Sequence, residues 1–279
     1  MKFLTILLML VTALVACDEA VPVLEVQNNN EEVLYLDNNP LAEELRENPA
    51  VMLQLTPVPA GEELVVLHTS MGDITLRLFP GEAPRAVENF LTHARSGYYD
   101  GVVFHRVIPN FMIQTGDPTG TGSGGQSIWG ESFTVETSNH LRHFRGALAM
   151  AHAGGAMGSQ FYIVQNPILH PGYVQDFTDL INSQNDVLGH FQDGSNLTVS
   201  HIHPADGLRY FLENGGTPHL DWFWNQQNLP HTVFGHVVSG MEVVDAIAAV
   251  TTAPGDRPLE DITIDRISFI IAEQDDDVS

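Results

Sequence analysis

The pattern of apolar and polar residues becomes regular from about Leu64 onward, where it predicts strands and helices. Leu64–Thr69 is a run of strand-forming residues, and Ile74–Phe79 alternates apolar with polar positions, which is typical of a strand with one buried face. Pro84–Ala94 and, near the other end, Met241–Ala248 place their apolar residues on one helical face. Short strands with two separated helices favour a β-rich domain, built as a barrel capped at its ends.

The first residues follow a different pattern. Lys2 precedes the apolar run Phe3–Ala16, which is shorter than the roughly 20 residues that a bilayer-spanning helix needs, and this arrangement is typical of a secretory signal. Leu14–Cys17 resembles the lipobox of bacterial lipoproteins. The resemblance implies that residues 1–16 are removed and that Cys17 is lipidated. The protein would then be extracytoplasmic and lipid-anchored to the cell membrane in a bacterial envelope. An uncleaved anchor or a buried strand is the alternative interpretation.

Polar segments flank the globular region. The composition of residues 17–61 predicts an acidic and polar tether. One short helix is predicted within it over Asn39–Arg46, where a proline follows an N-cap residue. The domain is predicted over residues 62–272, and the acidic tail 273–279 is predicted to be disordered. An insertion at about 167–218 interrupts the domain, and glycines end a predicted helix inside it.

Composition limits the classes of function. The 279 residues include 35 acidic and 11 basic side chains, a formal net charge of −24, and Lys2 is the only lysine. This length allows one large domain or two small ones. The charge argues against nucleic acid as a partner, because phosphate binding needs clustered Lys and Arg. The single cysteine excludes a disulfide framework. Gly120–Gly125 is not followed by a strand-to-helix unit, so no phosphate-bearing cofactor is expected.

Three motifs carry the most specific signal. They are Phe104–Asp117, Gly146–Ala153 leading into Gly158–Ile163, and Thr232–Met241. In this order they resemble the cyclophilin family of peptidyl-prolyl cis–trans isomerases, with a match from about Leu64 to Ile270. The resemblance implies a mainly β fold, an eight-stranded antiparallel β-barrel capped by two α-helices. It also implies Pro-containing polypeptide substrates and no cofactor, and we expect a monomer.

The resemblance further implies which residues form the site. The catalytic residues would be Arg106, Phe111 and Gln114, with Gln114 holding the peptide backbone. The substrate-binding residues would be Met112, Ala151, His152, Gln160, Tyr162, Leu220 and His231. His152 stands where the family often has asparagine, so we expect binding to be sensitive to pH. His219 stands where many eukaryotic members have tryptophan, so we expect weak sensitivity to the cyclic peptide inhibitor of the family.

The chemistry of the reaction explains these residue types. Rotation about an X–Pro bond has a barrier of about 18–20 kcal/mol, because the C–N bond has partial double-bond character. No bond is broken, so the reaction needs no nucleophile, metal or general base. The twisted amide nitrogen gains a usable lone pair, and a guanidinium aimed at it would bind the transition state in preference to the planar ground state. Arginine suits this role because it is always charged and its planar fork is pre-organised.

The leading hypothesis is a peptidyl-prolyl isomerase at the membrane surface that assists the folding of exported proteins, since proline isomerisation is slow enough to limit folding. One alternative is a binding or chaperone module that holds Pro-containing segments with little turnover. Another is a lipoprotein that binds a metal or a partner through the insertion, where His201, His203 and Asp206 lie close in sequence. The retained Arg106 and Gln114 favour the enzyme.

Overall fold

The fold is an antiparallel sheet covered by helices. The computed structural model describes residues 51–190, 196–221 and 230–273; the signal segment, Cys17, the helix predicted over Asn39–Arg46 and nearly all of the acidic tail lie outside them. The strands are β1 (Glu63–Thr69), β2 (Gly72–Leu78), β3 (Val102–Val103), β4 (Arg106–Ile108), β5 (Met112–Thr115), β6 (Ala147–Ala153), β7 (Ala156–Val164), β8 (Val187–His190), β9 (Asn196–Thr198), β10 (Val233–Ser239) and β11 (Thr263–Ile271). The α-helices are α1 (Pro84–Arg95), α2 (Pro171–Asn182), α3 (Val199–Ile202), α4 (Ala205–Asn214) and α5 (Met241–Ala248).

Nine strands form the main sheet, in the order β3-β11-β1-β2-β10-β6-β7-β5-β4 with every neighbouring pair antiparallel. The edge strands β3 and β4 are separated in the chain only by Phe104 and His105, so the sheet curls until its edges approach each other. The expectation of eight strands in a closed barrel was therefore wrong in its detail, because the structure is a nine-stranded curled half-barrel.

The extra strand has a local cause. The backbone N–H of Phe104 still bonds to the carbonyl of Ile262, at 2.9 Å, beside β11. Two residues later Arg106 pairs with β5 instead. One run of chain thus changes partners at Phe104–His105 and is divided into two short strands.

The core lies between the sheet and helices α1 and α5. The predicted apolar face of α1 is buried, and Phe90 is fully enclosed. Its ring meets the edge of Phe161 at a centroid distance of 5.2 Å and lies 5.5 Å from Phe234. Val244 and Ile247 of α5 join the same cluster. Each fully buried side chain of this size stabilises the fold by roughly 1.5–3 kcal/mol.

The insertion carries α2, α3, α4 and the separate hairpin β8–β9. Its own cluster includes Phe177 and Phe211, which pack with Phe144, a residue that precedes β6. Helix α4 ends where Gly215 adopts a φ of +84°, as the glycines of the sequence indicate. A 3₁₀ helix, Pro218–Leu220, then returns the chain to the barrel.

Residues just before β1 also contact the domain. Met52 is 1% exposed, and a 3₁₀ helix spans Leu53–Leu55. The Gln54 side chain accepts a hydrogen bond from the backbone N–H of Arg142 at 2.7 Å and donates one to its carbonyl at 3.0 Å. Packed structure therefore begins before residue 62. Within the described ranges no helix is long and apolar enough to span a membrane.

Candidate active site

Strand pairing brings the motif residues together. Arg106 of β4 lies opposite Gln114 of β5, and Gln114 lies opposite Tyr162 of β7. Met112 precedes Gln114 by two residues, so the two side chains point to the same face of β5. Tyr162 in turn pairs with Ala149 of β6. The antiparallel register thus builds one surface from residues that are far apart in sequence.

A row of polar side chains forms one side of this surface. Arg106 donates to Gln114 Oε1 over a long 3.4 Å, and its Nε lies 3.7 Å from Asp256 Oδ2. Gln114 Nε2 donates to Gln160 Oε1 at 2.9 Å, and Gln160 Nε2 donates to the carbonyl of Gly124 at 2.7 Å. The row fixes the two amides firmly but the guanidinium only weakly, and the Arg106 side chain is 44% exposed.

A buried carboxylate holds the glycine-rich loop beside this row. Asp117 is 0% exposed and accepts hydrogen bonds from four backbone N–H groups of the loop and from the hydroxyl of Thr119. Burial by itself raises the pKa of this carboxyl, but the hydrogen bonds from Thr119, Gly124 and Gly122 outweigh burial and hold the pKa well below its usual range. The loop carbonyls that bind Gln160 are therefore fixed in place.

An apolar cluster forms the other side. All five predicted apolar site residues belong to it: Phe111, Met112, Ala151, Tyr162 and Leu220. Met112 and Tyr162 are 2% and 4% exposed, whereas Phe111 is half-buried and its ring stacks on His219 at 5.9 Å. A half-buried aromatic ring beside the buried side chains of Met112 and Tyr162 makes a wall that a proline ring can contact.

Two histidines lie at the rim of this cluster. The rings of His152 and His231 stack at 4.0 Å. His152 Nδ1 accepts from the Gly155 N–H at 3.0 Å, so Nε2 carries the proton and donates to the Pro230 carbonyl at 3.1 Å. His231 lies 5.5 Å from the Tyr162 ring, and burial, aided by His152, lowers the pKa of His231 to about 3. These contacts favour neutral rings and a contact role.

A buried chain of three side chains supports the cluster from below, and the sequence analysis missed two of its members. His143 is 1% exposed. Its Nδ1 lies 2.6 Å from Asp221 Oδ1, and its backbone N–H donates to the same oxygen at 2.9 Å. Its Nε2 lies 3.1 Å from the Tyr162 hydroxyl. Because a carboxylate only accepts, Nδ1 carries the proton and Tyr162 donates to Nε2. The hydroxyl is thus satisfied by His143, and Tyr162 offers its ring to the cluster.

Two histidines of the insertion, His201 and His203, serve local structure. His201 Nδ1 accepts from the Thr198 N–H at 3.1 Å at the start of α3. His203 is 7% exposed, and burial, together with Arg142, lowers its pKa to about 3. Within the described ranges no group of three or more His, Cys, Asp or Glu could hold a metal ion.

The arrangement can therefore hold an extended peptide against a row of hydrogen-bonding groups while its proline ring contacts apolar side chains. Known proteins are similar in sequence to this region. Residues 64–269 match the family model described as cyclophilin type peptidyl-prolyl cis-trans isomerase/CLD. That range includes every site residue described above.

Similar proteins come from several bacteria. A Staphylococcus saprophyticus protein assigned by name to the peptidyl-prolyl cis–trans isomerases is 41% identical over 216 residues, which are 77% of this chain and 95% of that protein. A Staphylococcus aureus (strain USA300) protein with the same assignment is 42% identical over 211 residues, 75% of this chain and 93% of that one. A Streptococcus pyogenes protein, assigned as a bifunctional phosphatase and peptidyl-prolyl isomerase, is 46% identical over 73% of this chain but only 38% of its own length.

A solved structure is similar as well. The crystal structure of a cyclophilin type peptidyl-prolyl cis–trans isomerase from Cryptosporidium parvum has a TM-score of 0.50 and 28% identity, and the match covers 75% of this chain and 97% of that one. The family model spans most of the chain, and the two staphylococcal relatives are matched along nearly their whole length. The chain therefore belongs to the cyclophilin-type peptidyl-prolyl cis–trans isomerases, and its activity is the isomerisation of X–Pro bonds in polypeptides.

Proposed function

We propose that the chain acts on exported polypeptides at a membrane surface and that Arg106, Phe111 and Gln114 carry the reaction. The observation that carries the proposal is the juxtaposition of the fixed Gln114–Gln160 amide pair and the weakly held Arg106 with the apolar cluster around Phe111 and Met112. The polar row would hold the peptide backbone while the apolar cluster receives the proline ring.

The role of each residue follows from its contacts. The proline ring would lie against Phe111, Met112 and Tyr162, where water is excluded. Gln114 would hold the peptide group next to the proline, because its own amide is fixed by Gln160 at 2.9 Å. One end of the substrate is then held while the other turns, which restricts rotation to the X–Pro bond.

Arg106 would donate to the amide nitrogen once the bond is twisted. Its contacts to Gln114 and Asp256, at 3.4 and 3.7 Å, are long and partly exposed. Such contacts contribute little stability, so the guanidinium can turn toward substrate at small cost. A planar amide nitrogen has no lone pair to accept this hydrogen bond, so the interaction stabilises the transition state selectively.

The rival hypothesis is a module that binds proline segments with little turnover. It differs from the proposal in the rate of cis–trans exchange that the protein produces. Nuclear magnetic resonance exchange spectroscopy on an Ala-Pro peptide measures binding and the cis–trans exchange rate in one sample. The proposed site predicts that catalytic amounts of protein raise the exchange rate, and that Gln114→Ala lowers it in a folded protein. Binding without faster exchange would contradict the proposal.

The location at a membrane rests on the N-terminal sequence. Leu14–Cys17 has the form of a lipobox, and we propose that a lipid on Cys17 anchors the mature chain outside the cytoplasm. Metabolic labelling with a fatty acid should mark the wild-type protein and leave Cys17→Ser unmarked. Equal labelling of the two proteins would contradict the anchor. We also propose a monomer, for which light scattering should give the mass of one chain and a dimer mass would count against it.

A further inference from the structure

We propose that the insertion forms a second binding site, beside the proline pocket, for an apolar or aromatic side chain of the same polypeptide substrate. The inference rests on the proposed proline pocket of Phe111, Met112 and Tyr162. The site is a cavity of about 420 Å³, within the usual range for ligand sites. The described residues that line it are Asn166, His170, Tyr173, Gly216, Pro218 and His219.

The cavity adjoins the proline pocket through one shared wall. His219 lines the cavity and stacks on Phe111 with ring centroids 5.9 Å apart. Asn166 also lines it, and its backbone N–H bonds to the Phe111 carbonyl at 3.3 Å. An extended chain advances about 3.3 Å per residue. A side chain one or two residues from the bound proline can therefore reach past the Phe111 ring into the cavity.

The walls of the cavity are held by the fold itself. Asn166 Nδ2 donates to the Gly216 carbonyl at 2.9 Å, which ties the end of β7 to the end of the insertion. His170 Nδ1 accepts from the Gly172 N–H at 3.1 Å and so begins α2. The Tyr173 ring packs on the insertion core 5.7 Å from Phe177. A cavity shaped in advance needs little ordering when substrate enters, which favours affinity.

The chemistry of the walls selects the occupant. None of the six described lining residues is Asp, Glu, Lys or Arg, although the chain carries 46 such side chains in all (35 acidic and 11 basic). Burial and the neighbouring His143 lower the pKa of His219, so its ring is neutral near pH 7. A charged side chain would lose hydration here, and no lining residue that the structure describes carries a full opposite charge. Rings from Tyr173, Pro218 and His219 instead offer flat contact to an aromatic side chain.

The exposed surface next to the cavity is consistent with this occupant. Ile168 is 70% exposed and Val174 is 44% exposed, and both lie within two residues of lining positions in the chain. The insertion would thus select substrates by a residue near the proline, in addition to the proline itself.

The test uses the full chain and seven-residue peptides of Ala with one central Pro. Phe replaces Ala at one of the two positions on either side of the proline, and titration calorimetry measures each Kd. We expect one position to bind about tenfold more tightly than the all-Ala peptide, which corresponds to partial burial of one Phe ring. Lys at that position should give no gain.

Two matched variants identify the site. Tyr173→Ala should reduce the gain from Phe to less than twofold. Tyr210→Ala removes an equally half-buried tyrosine of the same core that does not line the cavity, and it should keep the gain. A gain that survives Tyr173→Ala, or no gain above twofold at any position, overturns the proposal.

A measurement on the wild-type protein covers the case in which Tyr173→Ala does not fold. Nuclear Overhauser contacts between the Phe ring of the best peptide and the Tyr173 ring are expected, and contacts to other residues alone would contradict the site. Proline exchange in the all-Ala peptide is measured in the same samples. If the protein speeds up exchange but Phe gives no gain in affinity, only the second site is contradicted. If the protein does not speed up exchange, the proposed function itself is contradicted.

Discussion

The buried chain Asp221–His143–Tyr162 predicts unequal effects of two substitutions at Asp221. One oxygen of Asp221 accepts two hydrogen bonds from His143, from Nδ1 at 2.6 Å and from the backbone N–H at 2.9 Å. Asp221→Ala removes this acceptor and leaves two donors buried. Asp221→Asn keeps an accepting oxygen of the same size in the same place.

The magnitude follows from the number of donors left without partners. Each buried donor that loses its partner costs about 1–3 kcal/mol, so Asp221→Ala should lower the free energy of unfolding by about 2–6 kcal/mol. Asp221→Asn places an amide N–H₂ where Oδ2 is buried without a hydrogen-bond partner among the described residues, and should cost about 1–2 kcal/mol.

Urea denaturation at pH 7.5, followed by fluorescence, measures these differences. Asp265→Ala, at an exposed position on β11, is the control and should lie within about 0.5 kcal/mol of wild type. Asp221→Ala should also raise KM, because His143, which holds the Tyr162 hydroxyl, loses the carboxylate that positions its ring. Equal losses for the two Asp221 variants, or a loss below 1 kcal/mol for Asp221→Ala, would refute this reasoning.

Two further predictions concern acid stability and the glycine-rich loop. Burial, aided in each case by a neighbouring positive or histidine side chain, lowers the pKa of His203 and of His231 to about 3 and that of His236 to about 4. In the unfolded chain these histidines take up protons near pH 6.5, whereas in the folded chain they stay neutral to a much lower pH. The free energy of unfolding is therefore not reduced by these histidines above pH 6.5. As the pH falls from 6.5 toward 4, each histidine removes about 1.4 kcal/mol per pH unit. Urea midpoints between pH 7.5 and 4.5 check this, and a constant midpoint would contradict it. Asp117→Ala should expose the loop amides to hydrogen exchange and, by releasing Gln160, lower kcat/KM about tenfold; unchanged exchange would count against the role of Asp117.

Local periodicity predicted the elements that depend on neighbouring residues. The face of α1 around Phe90 and the helix Met241–Ala248 follow from apolar spacing that a single sequence displays. The number of strands does not follow from local spacing, because the break at Phe104–His105 depends on a change of pairing partner from β11 to β5. Burial of Met52 depends likewise on the insertion core, which no local pattern reveals.

The candidate site shows the same division. The motifs named Arg106, Gln114 and Tyr162, and the antiparallel register places them side by side, although their roles stay predictions. Asp221 follows a predicted pocket residue directly, yet its partner His143 is 78 positions away and carries no signal of its own. Long-range pairing of single polar side chains is a property of the folded chain and is not written in any local pattern.

The central claim is that Arg106 stabilises the twisted amide. The direct measurement is kcat/KM for an Ala-Pro peptide with wild type, Arg106→Ala and a control, Arg266→Ala, which removes an exposed arginine from β11. Removing a donor that acts only in the transition state typically lowers the rate about 100-fold or more. We predict such a loss for Arg106→Ala, with KM changed less than threefold and the urea midpoint unchanged, and no loss for Arg266→Ala. A folded Arg106→Ala protein that retains wild-type kcat would contradict the mechanism.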